Sequence, residues 1–316
     1  MSPTVSRGRF VWHELLTTDP DAAIPFYTRV IGWSVERFEQ DPSYRMFTLK
    51  GVPMAGLMRL PPEAQAEKAP PNWLSYVGVP DVDATVRQAV GRGARTFVEG
   101  MDIPTVGRIA VLADPQGAAF AVYTPTTPRP GGDDVAAGDF SWHEYYAVDW
   151  KAAWEFYRAL FGWEKDSEMD MGALGTYFVY RRAGGTRPLG GFMNKPPNVP
   201  VGFWLPYISV PSADQTATRA TAAGGKVVMG PMEVPDGGRI AHIIDLQGAV
   251  IAVYSEKAKG KDGKKGKDGK KGKKGKKGRK GKTVRKRAAP RKRTAKKRAA
   301  PKRRAAPKRR AVKKRK

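Results

Sequence analysis

The sequence predicts an α+β fold of four βαβββ units, arranged as two tandem copies of one module and followed by a disordered basic tail. Short residue signatures recur in the same order at an offset of 130 to 135 residues. The charge is also sharply divided, because residues 257–316 carry 34 Lys and Arg against only Asp262 and Asp268, a net +32. The whole chain is +27, so residues 1–256 carry −5 and form a mildly acidic body.

The recurring signatures indicate an internal duplication. They are Trp12-His13-Glu14 and Trp142-His143-Glu144, Phe26-Tyr27 and Phe156-Tyr157, Gly32-Trp33 and Gly162-Trp163, Trp73-Leu74 and Trp204-Leu205, and the Asp-x-Gln-Gly turns at 114–117 and 245–248. Agreement at sites this dispersed predicts one module over 8–124 and a second over 139–255. The Pro- and Gly-rich stretch 125–138 is the predicted linker. Each copy is long enough for a core, and pairing the copies mimics a dimer, so we expect a monomer with an internal pseudo-dimer, or a dimer.

The first unit begins with Phe10–Thr17, whose alternating pattern predicts a strand. A helix follows, with Asp19 as N-cap and Pro20 in the first helical position, and we expect it to end at Gly32. Its predicted apolar face consists of Ala23, Phe26, Tyr27, Val30 and Ile31. Short apolar runs at 44–50 and 54–60 predict further strands.

The second unit repeats this order. We expect a strand at 73–79, a helix from Asp81 to about Gly91, and strands near 95–99, 106–112 and 118–124. In the second copy Asp149 is the predicted N-cap of the first helix. The apolar face of that helix is predicted to be Ala153, Phe156, Tyr157, Leu160 and Phe161.

This pattern resembles the vicinal oxygen chelate superfamily of glyoxalases, bleomycin-resistance proteins and extradiol dioxygenases. The resemblance rests on the opening strand, the Phe-Tyr helix that ends in Gly-Trp, and the closing Asp-x-Gln-Gly turn, and it covers residues 8–255. It implies two tandem glyoxalase-like domains of a two-copy subgroup. Because that fold carries lyases, dioxygenases, epimerases and binding proteins, the resemblance implies no single activity.

Superfamily members that use a metal place His or Glu on the first and fourth strands of each unit. Carried over to this chain, those positions are Trp12, Leu74 and Ala121 in the first copy, and 51–60 contains no Asp, Glu or His. The second copy has Trp142, Leu205 and Ala252, with no acid or His in 184–195. The chain has no Cys either. We therefore expect no metal and no cofactor.

The histidines do not restore such a site. Adjacent residues of a strand point to opposite faces, so His13 and Glu14 cannot ligate one ion. We expect His13 and His143 to be partly buried and hydrogen-bonded, on the side of the strand that faces the helix with Val11 and Leu15. His242 has Val111 as its counterpart in the first copy, which argues against a shared role.

The same alternation predicts a ligand box in each copy. Its residues are Trp12, Glu14, Tyr76 and Tyr123 in the first copy, and Trp142, Glu144, Tyr207 and Tyr254 in the second. Aromatic walls with one carboxylate suit a planar or cationic small molecule. In the alternative, these aromatic residues fill a small barrel and the Glu hydrogen-bonds a Tyr hydroxyl. Arg108 and Arg239 each follow a Gly and could contact an anionic group.

The empty metal positions favour a metal-free small-molecule-binding protein of the glyoxalase/bleomycin-resistance type. An enzyme of lyase or dioxygenase type remains an alternative, with Glu14 or Glu144 as general base. A third possibility is a nucleoid-associated protein that acts through its tail.

The tail has two halves of different composition. Gly recurs at every third position of 260–281, but this stretch contains no Pro and is cationic, which disfavours a collagen helix. Ala-Ala-Pro-Lys/Arg units follow, with no apolar stripe, so we expect the tail to be disordered. No aromatic residue follows Tyr254, so DNA or RNA would be contacted at its phosphates rather than by base stacking. The candidate contacts are Lys264, Lys265, Lys270, Lys271, Lys286, Arg287, Arg303, Arg304, Arg309 and Arg310.

Other polyanions are an alternative partner for the tail. No apolar run is long enough to span a membrane, and residues 1–9 lack a signal-type apolar region, so we expect no membrane association. Absence of Cys fits a reducing cytoplasm. We expect a cytoplasmic, nucleoid-associated protein.

Overall fold

The computed structural model describes residues 7–127 and 135–257. Its first module contains β1 (Phe10–Thr17), α1 (Pro20–Val30), β2 (Ser34–Phe38), β3 (Asp41–Leu49), β4 (Val52–Arg59), a short α2 (Pro62–Ala66), β5 (Asn72–Gly78), α3 (Val82–Val90), β6 (Arg95–Ile103), β7 (Gly107–Ala113) and β8 (Ala119–Pro125). The predicted linker is described only at 125–127 and 135–138, and the predicted tail only at Lys257.

The second module repeats the first. It contains β9 (Phe140–Ala147), α4 (Trp150–Phe161), β10 (Glu164–Asp170), a 3-10 turn (Gly172–Leu174), β11 (Thr176–Arg181), β12 (Pro188–Asn194), β13 (Phe203–Ser209), α5 (Ala213–Ala222), β14 (Lys226–Glu233), β15 (Arg239–Ile244) and β16 (Val250–Ser255). The four predicted βαβββ units and the α+β class are confirmed. Among the described residues no helix is long and apolar enough to cross a membrane.

Each module forms one eight-stranded sheet, in the order β2-β3-β4-β1-β5-β8-β7-β6 and, for its copy, β10-β11-β12-β9-β13-β16-β15-β14. The antiparallel pair β1–β5 joins the two units of the first module, and β13–β9 does so in the second. Strands β2 and β10 were not predicted from the sequence. Both are mostly exposed edge strands with polar residues on both faces, so they lack an apolar alternation.

The helices begin where the sequence places them. Asp19 accepts a hydrogen bond from the backbone N–H of Ala22 at 3.1 Å, and Asp149 caps α4 in the same way. Such a cap stabilises a helix by about 1 kcal/mol. Helix α1 ends at Val30, slightly before the predicted Gly32, whereas Gly162 caps α4 in the left-handed conformation with φ of 69°.

The helix-side cores are shared between the modules. Phe26 of α1 and Leu57 of β4 belong to the same buried cluster as Ile243 and Val253 of the second module. The reciprocal cluster joins Phe120 and its neighbours in β7, β8 and α3 to α4 and β12. Each module is therefore not a self-contained hydrophobic unit on this side, although its length would allow a core of its own.

The duplicated signatures hold the two modules together. Tyr27 donates to Asp245 Oδ2 at 2.9 Å, and the Trp33 indole N–H donates to the Gly138 carbonyl at 2.9 Å. In the reciprocal contacts Tyr157 donates to Asp114 at 2.9 Å, and Trp163 donates to the Gly8 carbonyl at 2.7 Å. The tyrosine of the Phe-Tyr helix, the tryptophan of the Gly-Trp pair and the aspartate of the Asp-x-Gln-Gly turn therefore all make contacts between the modules, and each contact occurs twice.

On the opposite side of each sheet, the cluster of buried residues contains strand residues and no helix residue. We call this side the helix-free face. Face 1 is defined by Trp12, Leu74, Tyr76, Ala121 and Tyr123. Face 2 is defined by Trp142, Leu205, Tyr207, Ala252 and Tyr254. These faces position the candidate site.

Candidate ligand site on each helix-free face

Glu14 lies at the centre of face 1, on β1, and its side chain is only 6% exposed. The Tyr44 hydroxyl donates to Glu14 Oε1 at 2.7 Å, and the Tyr76 hydroxyl donates to Oε2 at 2.9 Å. The Trp12 indole N–H donates to Tyr44 Oη at 3.2 Å. Three aromatic side chains and one carboxylate therefore form a single hydrogen-bonded network.

Face 2 repeats this network around Glu144, which is also 6% exposed. Tyr177 donates to Oε1 at 2.7 Å, Tyr207 donates to Oε2 at 2.8 Å, and the Trp142 indole donates to Tyr177 Oη at 2.9 Å. Tyr146, two residues further along β9, lies on the same face, and its hydroxyl opposes the rise in the pKa of Glu144 that burial causes. Glu144 therefore accepts two tyrosine hydroxyls, as Glu14 does.

Two glycines make room for these tyrosines. Gly56 pairs with Glu14 across β4 and β1, and Gly191 pairs with Glu144 across β12 and β9. A Cβ on Gly56 would overlap the hydroxyl of Tyr44, and one on Gly191 would overlap the ring of Tyr177. Each tyrosine reaches its carboxylate over a residue without a side chain.

Burial dominates the electrostatics of both carboxylates. Desolvation raises the pKa of Glu14 and of Glu144, and the hydrogen bonds from the tyrosines oppose that shift in part. Desolvation and the nearby carboxylate also raise the pKa of Tyr44 and of Tyr177. The tyrosines therefore stay protonated donors, while each glutamate holds a proton more readily than an exposed carboxylate does.

The remaining box residues lie at the edges of the network. The Tyr123 hydroxyl donates to the Val106 carbonyl at 3.0 Å, and the Tyr254 hydroxyl donates to Asp236 Oδ2 at 2.9 Å. Both rings are half-buried on their faces but do not donate to the glutamates. The Glu–Tyr hydrogen bond expected of a filled barrel is present in both modules, alongside half-buried Trp12 and Trp142.

Sequence reasoning missed Tyr44 and Tyr177. They recur at an offset of 133, and Gly56 and Gly191 at 135, both within the offset of the duplication. Comparing the copies position by position would have found all four residues. Neither tyrosine belongs to one of the recurring signatures: Tyr44 was predicted only as part of the strand at 44–50, and Tyr177 was given no role.

His242 was also missed as a member of the site. Its Nε2 lies 2.8 Å from Tyr207 Oη, it is 7% exposed, and burial lowers its pKa to about 4. The corresponding residue of the first module is Val111, which packs on face 1. His242 therefore has no role common to both copies, as expected, yet it takes part in the second network alone.

His13 and His143 meet at the module interface, on the side of the strands opposite the glutamates. Their Nε2 atoms are 2.7 Å apart, and their rings stack on Phe140 and Phe10 with centroid distances of 3.6 and 3.5 Å. Burial lowers the pKa of both, to about 3 for His143. The pair lines a cleft of about 330 Å³ between the modules.

The neighbours of His13 differ in part from expectation. Leu15 belongs to the shared core, but Val11 packs against the face 1 cluster instead. The reason is a register shift between Phe10 and Trp12 in the β1–β5 pairing, which breaks the simple alternation at the start of the strand.

The residues present do not fit the divalent metal that the superfamily resemblance implies. Across residues 7–127 and 135–257 there is no group of three or more His, Cys, Asp or Glu that could hold a metal ion. On each face both oxygens of the glutamate already accept tyrosine hydroxyls. A carboxylate so engaged, without a second anionic or imidazole donor beside it, is a poor divalent ligand set.

The predicted contacts to anions are of two kinds, the arginines Arg108 and Arg239 and the basic residues of the tail. Arg108 forms an ion pair with Asp83 at 2.9 Å, and Arg239 forms one with Asp214 at 2.6 Å, so their anionic partners are carboxylates of the chain itself. The predicted phosphate contacts from Lys264 to Arg310 lie outside the described residues.

Comparisons with known proteins agree with this architecture. Residues 11–123 match the family model of a glyoxalase-like domain, and residues 140–253 match the glyoxalase/bleomycin resistance protein/dioxygenase superfamily. The chain is 35% identical over 249 residues to "Putative glyoxylase CFP32" from Mycobacterium tuberculosis, covering 77% of this chain and 92% of the relative. It is 30% identical over 264 residues to anthracycline biosynthesis protein DauV from Streptomyces sp. (strain C5), covering 78% and 92%.

Solved structures show the same fold at low identity. The Mn(II)-bound glyoxalase from Novosphingobium aromaticivorans has a TM-score of 0.54 at 16% identity, covering 80% of this chain and 83% of that one. A variant of homoprotocatechuate 2,3-dioxygenase from B. fuscum has a TM-score of 0.58 at 17% identity, covering 81% and 73%. With a family match in each module and a relative at 35% identity, the chain belongs to the glyoxalase/bleomycin resistance protein/dioxygenase (vicinal oxygen chelate) superfamily, as two tandem glyoxalase-like domains.

Proposed function

We propose that each helix-free face binds a planar or cationic small molecule without a metal. The observation that carries this proposal is the Trp–Tyr–Glu–Tyr network, which occurs at equivalent positions of both modules. A carboxylate can accept about four hydrogen bonds. With two tyrosine donors, Glu14 retains acceptor capacity for a ligand N–H or O–H group, and the adjacent rings offer stacking and cation–π contact.

The name of one relative supports a planar ligand. DauV is named as an anthracycline biosynthesis protein, which associates that protein with a class of planar polycyclic compounds. A flat ring system and a wall of Trp and Tyr rings are complementary in shape. The metal-free part of the proposal rests on the donor set, which offers one carboxylate per face.

Intrinsic Trp fluorescence tests the proposal on the full chain. Titration with 9-aminoacridine, a planar cation, and with 1,4-dihydroxyanthraquinone, a planar neutral compound, should show two sites for at least one of them. Trp12→Ala and Trp142→Ala should each remove one site. Trp150→Ala is the matched control, because Trp150 is half-buried and packs on the shared core. Binding that survives both Trp12→Ala and Trp142→Ala would contradict the assignment.

Metal dependence is tested in the same titration. EDTA treatment should leave the affinity for the bound probe unchanged, and added Mn²⁺ or Zn²⁺ should not raise it. Loss of binding on chelation, with recovery on adding one equivalent of a divalent ion, would establish the metal site that the donor set argues against.

Catalysis is a second candidate function. Burial raises the pKa of Glu14 and of Glu144, and a raised pKa makes a carboxylate a stronger general base near neutral pH. A lyase or dioxygenase-type reaction through one of these residues would be lost in Glu14→Gln or Glu144→Gln while probe binding persists.

We also propose that the basic segment 257–316 holds the protein on DNA or RNA. Its net charge of +32 and its lack of aromatic residues support contacts to phosphate without sequence preference. If about ten cations contact phosphates, log affinity should fall with log salt at a slope of about −9. A chain truncated after Ser255 should lose binding to a random duplex and keep its thermal unfolding transition. Full DNA affinity in the truncated chain would overturn this part of the proposal.

A further inference from the structure

The hydroxyl of Tyr207 joins two titratable groups on face 2. It lies 2.8 Å from Glu144 Oε2 and 2.8 Å from His242 Nε2. A hydroxyl carries one proton and can donate it to only one of these partners. When Glu144 is ionised, Tyr207 donates to it, so His242 must hold its proton on Nε2 and donate to the Tyr207 oxygen.

A proton on Glu144 Oε2 reverses both hydrogen bonds. The carboxyl then donates to the Tyr207 oxygen, Tyr207 donates to His242 Nε2, and the imidazole carries its proton on Nδ1. His242 is neutral in both arrangements, in keeping with a pKa of about 4. Tyr177 remains a donor to Glu144 in the ionised arrangement. The Glu144–Tyr207–His242 chain therefore has two hydrogen-bond patterns, which differ by one proton on Glu144.

Face 1 cannot do the same. Tyr207 and His242 both lie beside Ala252, whose small side chain lets the imidazole reach the hydroxyl across β16. At the equivalent register Tyr76 and Val111 lie beside Ala121. Reversal of the Glu14–Tyr76 hydrogen bond would leave the Tyr76 proton facing a valine, which accepts no hydrogen bond. The paired pattern is a property of the second module.

We propose that face 2 is an acid–base site for a planar ligand with a weakly acidic hydroxyl, a phenol or an enol, whose proton Glu144 accepts. The ligand O–H bond breaks and a Glu144 O–H bond forms, so the ligand is held as its oxyanion. Tyr207 turns to His242, whose Nε2 proton is lost to solvent while a solvent proton binds Nδ1, so the imidazole changes tautomer without a change of charge. This inference rests on the proposed function, since it requires that face 2 binds a small planar molecule.

The relay is tested first without ligand, by nitrogen-15 NMR of the His242 imidazole in the full chain at pH 7. The wild type should show the proton on Nε2. In Glu144→Gln the amide N–H₂ replaces the protonated carboxyl as donor to Tyr207, so His242 should shift to the Nδ1–H form. The equivalent variant of face 1, Glu14→Gln, should leave His242 unchanged. Identical His242 signals in wild type and Glu144→Gln would overturn the relay.

The ligand chemistry is tested with 1,4-dihydroxyanthraquinone, whose visible absorption moves to longer wavelength when it loses a proton, in the Trp12→Ala background that leaves only face 2. The bound probe should show the shifted band at pH 7. His242→Val, which copies Val111, should abolish the shift and weaken binding about tenfold, the loss of one charge-assisted hydrogen bond. Binding of 1,4-dimethoxyanthraquinone, which has no hydroxyl proton, should not change.

The outcomes separate the two proposals. Probe bound with an unshifted band, or with a shift that survives His242→Val, overturns the acid–base site and leaves the binding function standing. Failure of both anthraquinones to bind while 9-aminoacridine binds face 2 also overturns it, because the site would then prefer cations. Failure of every probe at both faces overturns the binding function itself, and the acid–base proposal with it.

Discussion

The two modules share one framework but differ at two adjacent positions of their first strands, where the first has Leu15-Leu16 and the second has Tyr145-Tyr146. Adjacent residues of a strand point to opposite faces of the sheet, so one of these two differences lies at the module interface and the other lies on the helix-free face. On the interface side the Tyr145 hydroxyl donates to Asp114, whereas Leu15 is part of the shared core. On the helix-free side the Tyr146 hydroxyl favours the ionised form of Glu144, whereas Leu16 packs on the face 1 cluster.

The comparison teaches that duplication preserved the scaffold while the polar chemistry diverged. The tryptophans, the helix tyrosines and the turn aspartates make reciprocal contacts across the interface. The second module adds the Tyr145 hydroxyl to Asp114 and brings His242 to the Tyr207 hydroxyl, which donates to Glu144. Each added donor offsets part of the cost of burying a charge. Face 1 is left as the simpler site.

The largest expected effect is the loss of stability when either turn aspartate, Asp114 or Asp245, is replaced by alanine. Asp114 accepts two tyrosine hydroxyls and two backbone N–H groups, whereas Asp245 accepts one tyrosine hydroxyl and three backbone N–H groups. Either Asp→Ala change should cost about 3–5 kcal/mol in urea unfolding, because buried partners lose a charged acceptor. Asp114→Ala should cost more, since it leaves two buried hydroxyls unpaired.

Tyr145→Phe provides the control for that comparison. It removes the extra hydroxyl of the second module without emptying the core, so the difference between Asp114→Ala and Asp245→Ala should shrink in this background. An Asp245→Ala change that costs more than Asp114→Ala would show that the backbone contacts of the turn, rather than the tyrosines, decide its stability.

The next effect concerns pH and compares the interface histidines with His242. Burial lowers the pKa of His13, His143 and His242 in the folded protein, so the unfolded chain binds protons that the folded chain does not. Their contribution to stability is therefore present above the unfolded pKa of about 6.5 and is lost as the pH falls from there toward the folded pKa, which is about 4 for His242 and about 3 for His143. Each histidine contributes up to about 1.4 kcal/mol per pH unit to that slope.

Two variants distinguish the contribution of the interface histidines to this pH dependence from the contribution of His242. The double variant His13→Gln and His143→Gln can retain a hydrogen bond between amides but cannot titrate, so it should reduce the slope about twice as much as His242→Val. Urea unfolding at pH 6.5, 5.5 and 4.5 measures it. The raised pKa of Glu14 and of Glu144 gives a slope of opposite sign, which the double variant shares with the wild type. An unchanged slope in the double variant would mean that the pair is protonated in the folded state.

The sequence was sufficient for the framework because the framework is repeated and obeys simple patterns. Asp19 and Asp149 cap helices as their positions predict, and Tyr27 and Tyr157 lie on the predicted apolar faces. Alternation also placed Glu14 on the face opposite His13. The sequence could not show that the helix faces pack across the modules, because a periodic apolar face does not identify its partner.

The candidate site was predicted only in part. Residues on the central strands could be predicted, whereas residues that reach the site across a neighbouring strand could not. Trp12, Glu14 and Tyr76 lie on adjacent central strands, whose pairing is regular from Trp12 onward. Tyr44 comes from β3 and reaches Glu14 only because Gly56 lies between them, a contact between strands that no local pattern encodes. His242 reaches Tyr207 over Ala252 in the same way. Side chains that cross a neighbouring strand are found from structure or from comparison of the two copies.

A smaller loss of stability is expected when Gly56 or Gly191 is replaced by alanine. In Gly56→Ala the new methyl group meets the hydroxyl end of Tyr44, which can turn away, whereas in Gly191→Ala it meets the ring of Tyr177. We expect a cost of about 1–3 kcal/mol from overpacking, with Gly191→Ala at the upper end. Urea unfolding measures the cost. Equal costs would indicate that both tyrosines move freely, which a rigid ligand site does not allow.

The smallest effect exchanges the residue that distinguishes the two faces. Tyr146→Leu removes a hydroxyl that favours the ionised form of Glu144, so it should raise the pKa of that carboxyl further and cost up to about 1 kcal/mol. Leu16→Tyr should bring a hydroxyl toward Glu14 and lower the pKa of that carboxyl. Carbon-13 NMR titration of the glutamate carboxyls follows both changes in one experiment. The two shifts should have opposite signs. A Glu144 pKa that stays unchanged in Tyr146→Leu would mean that Tyr177 and Tyr207 alone stabilise its charge, and the glutamates of the two faces would then differ in hydrogen bonding only through His242.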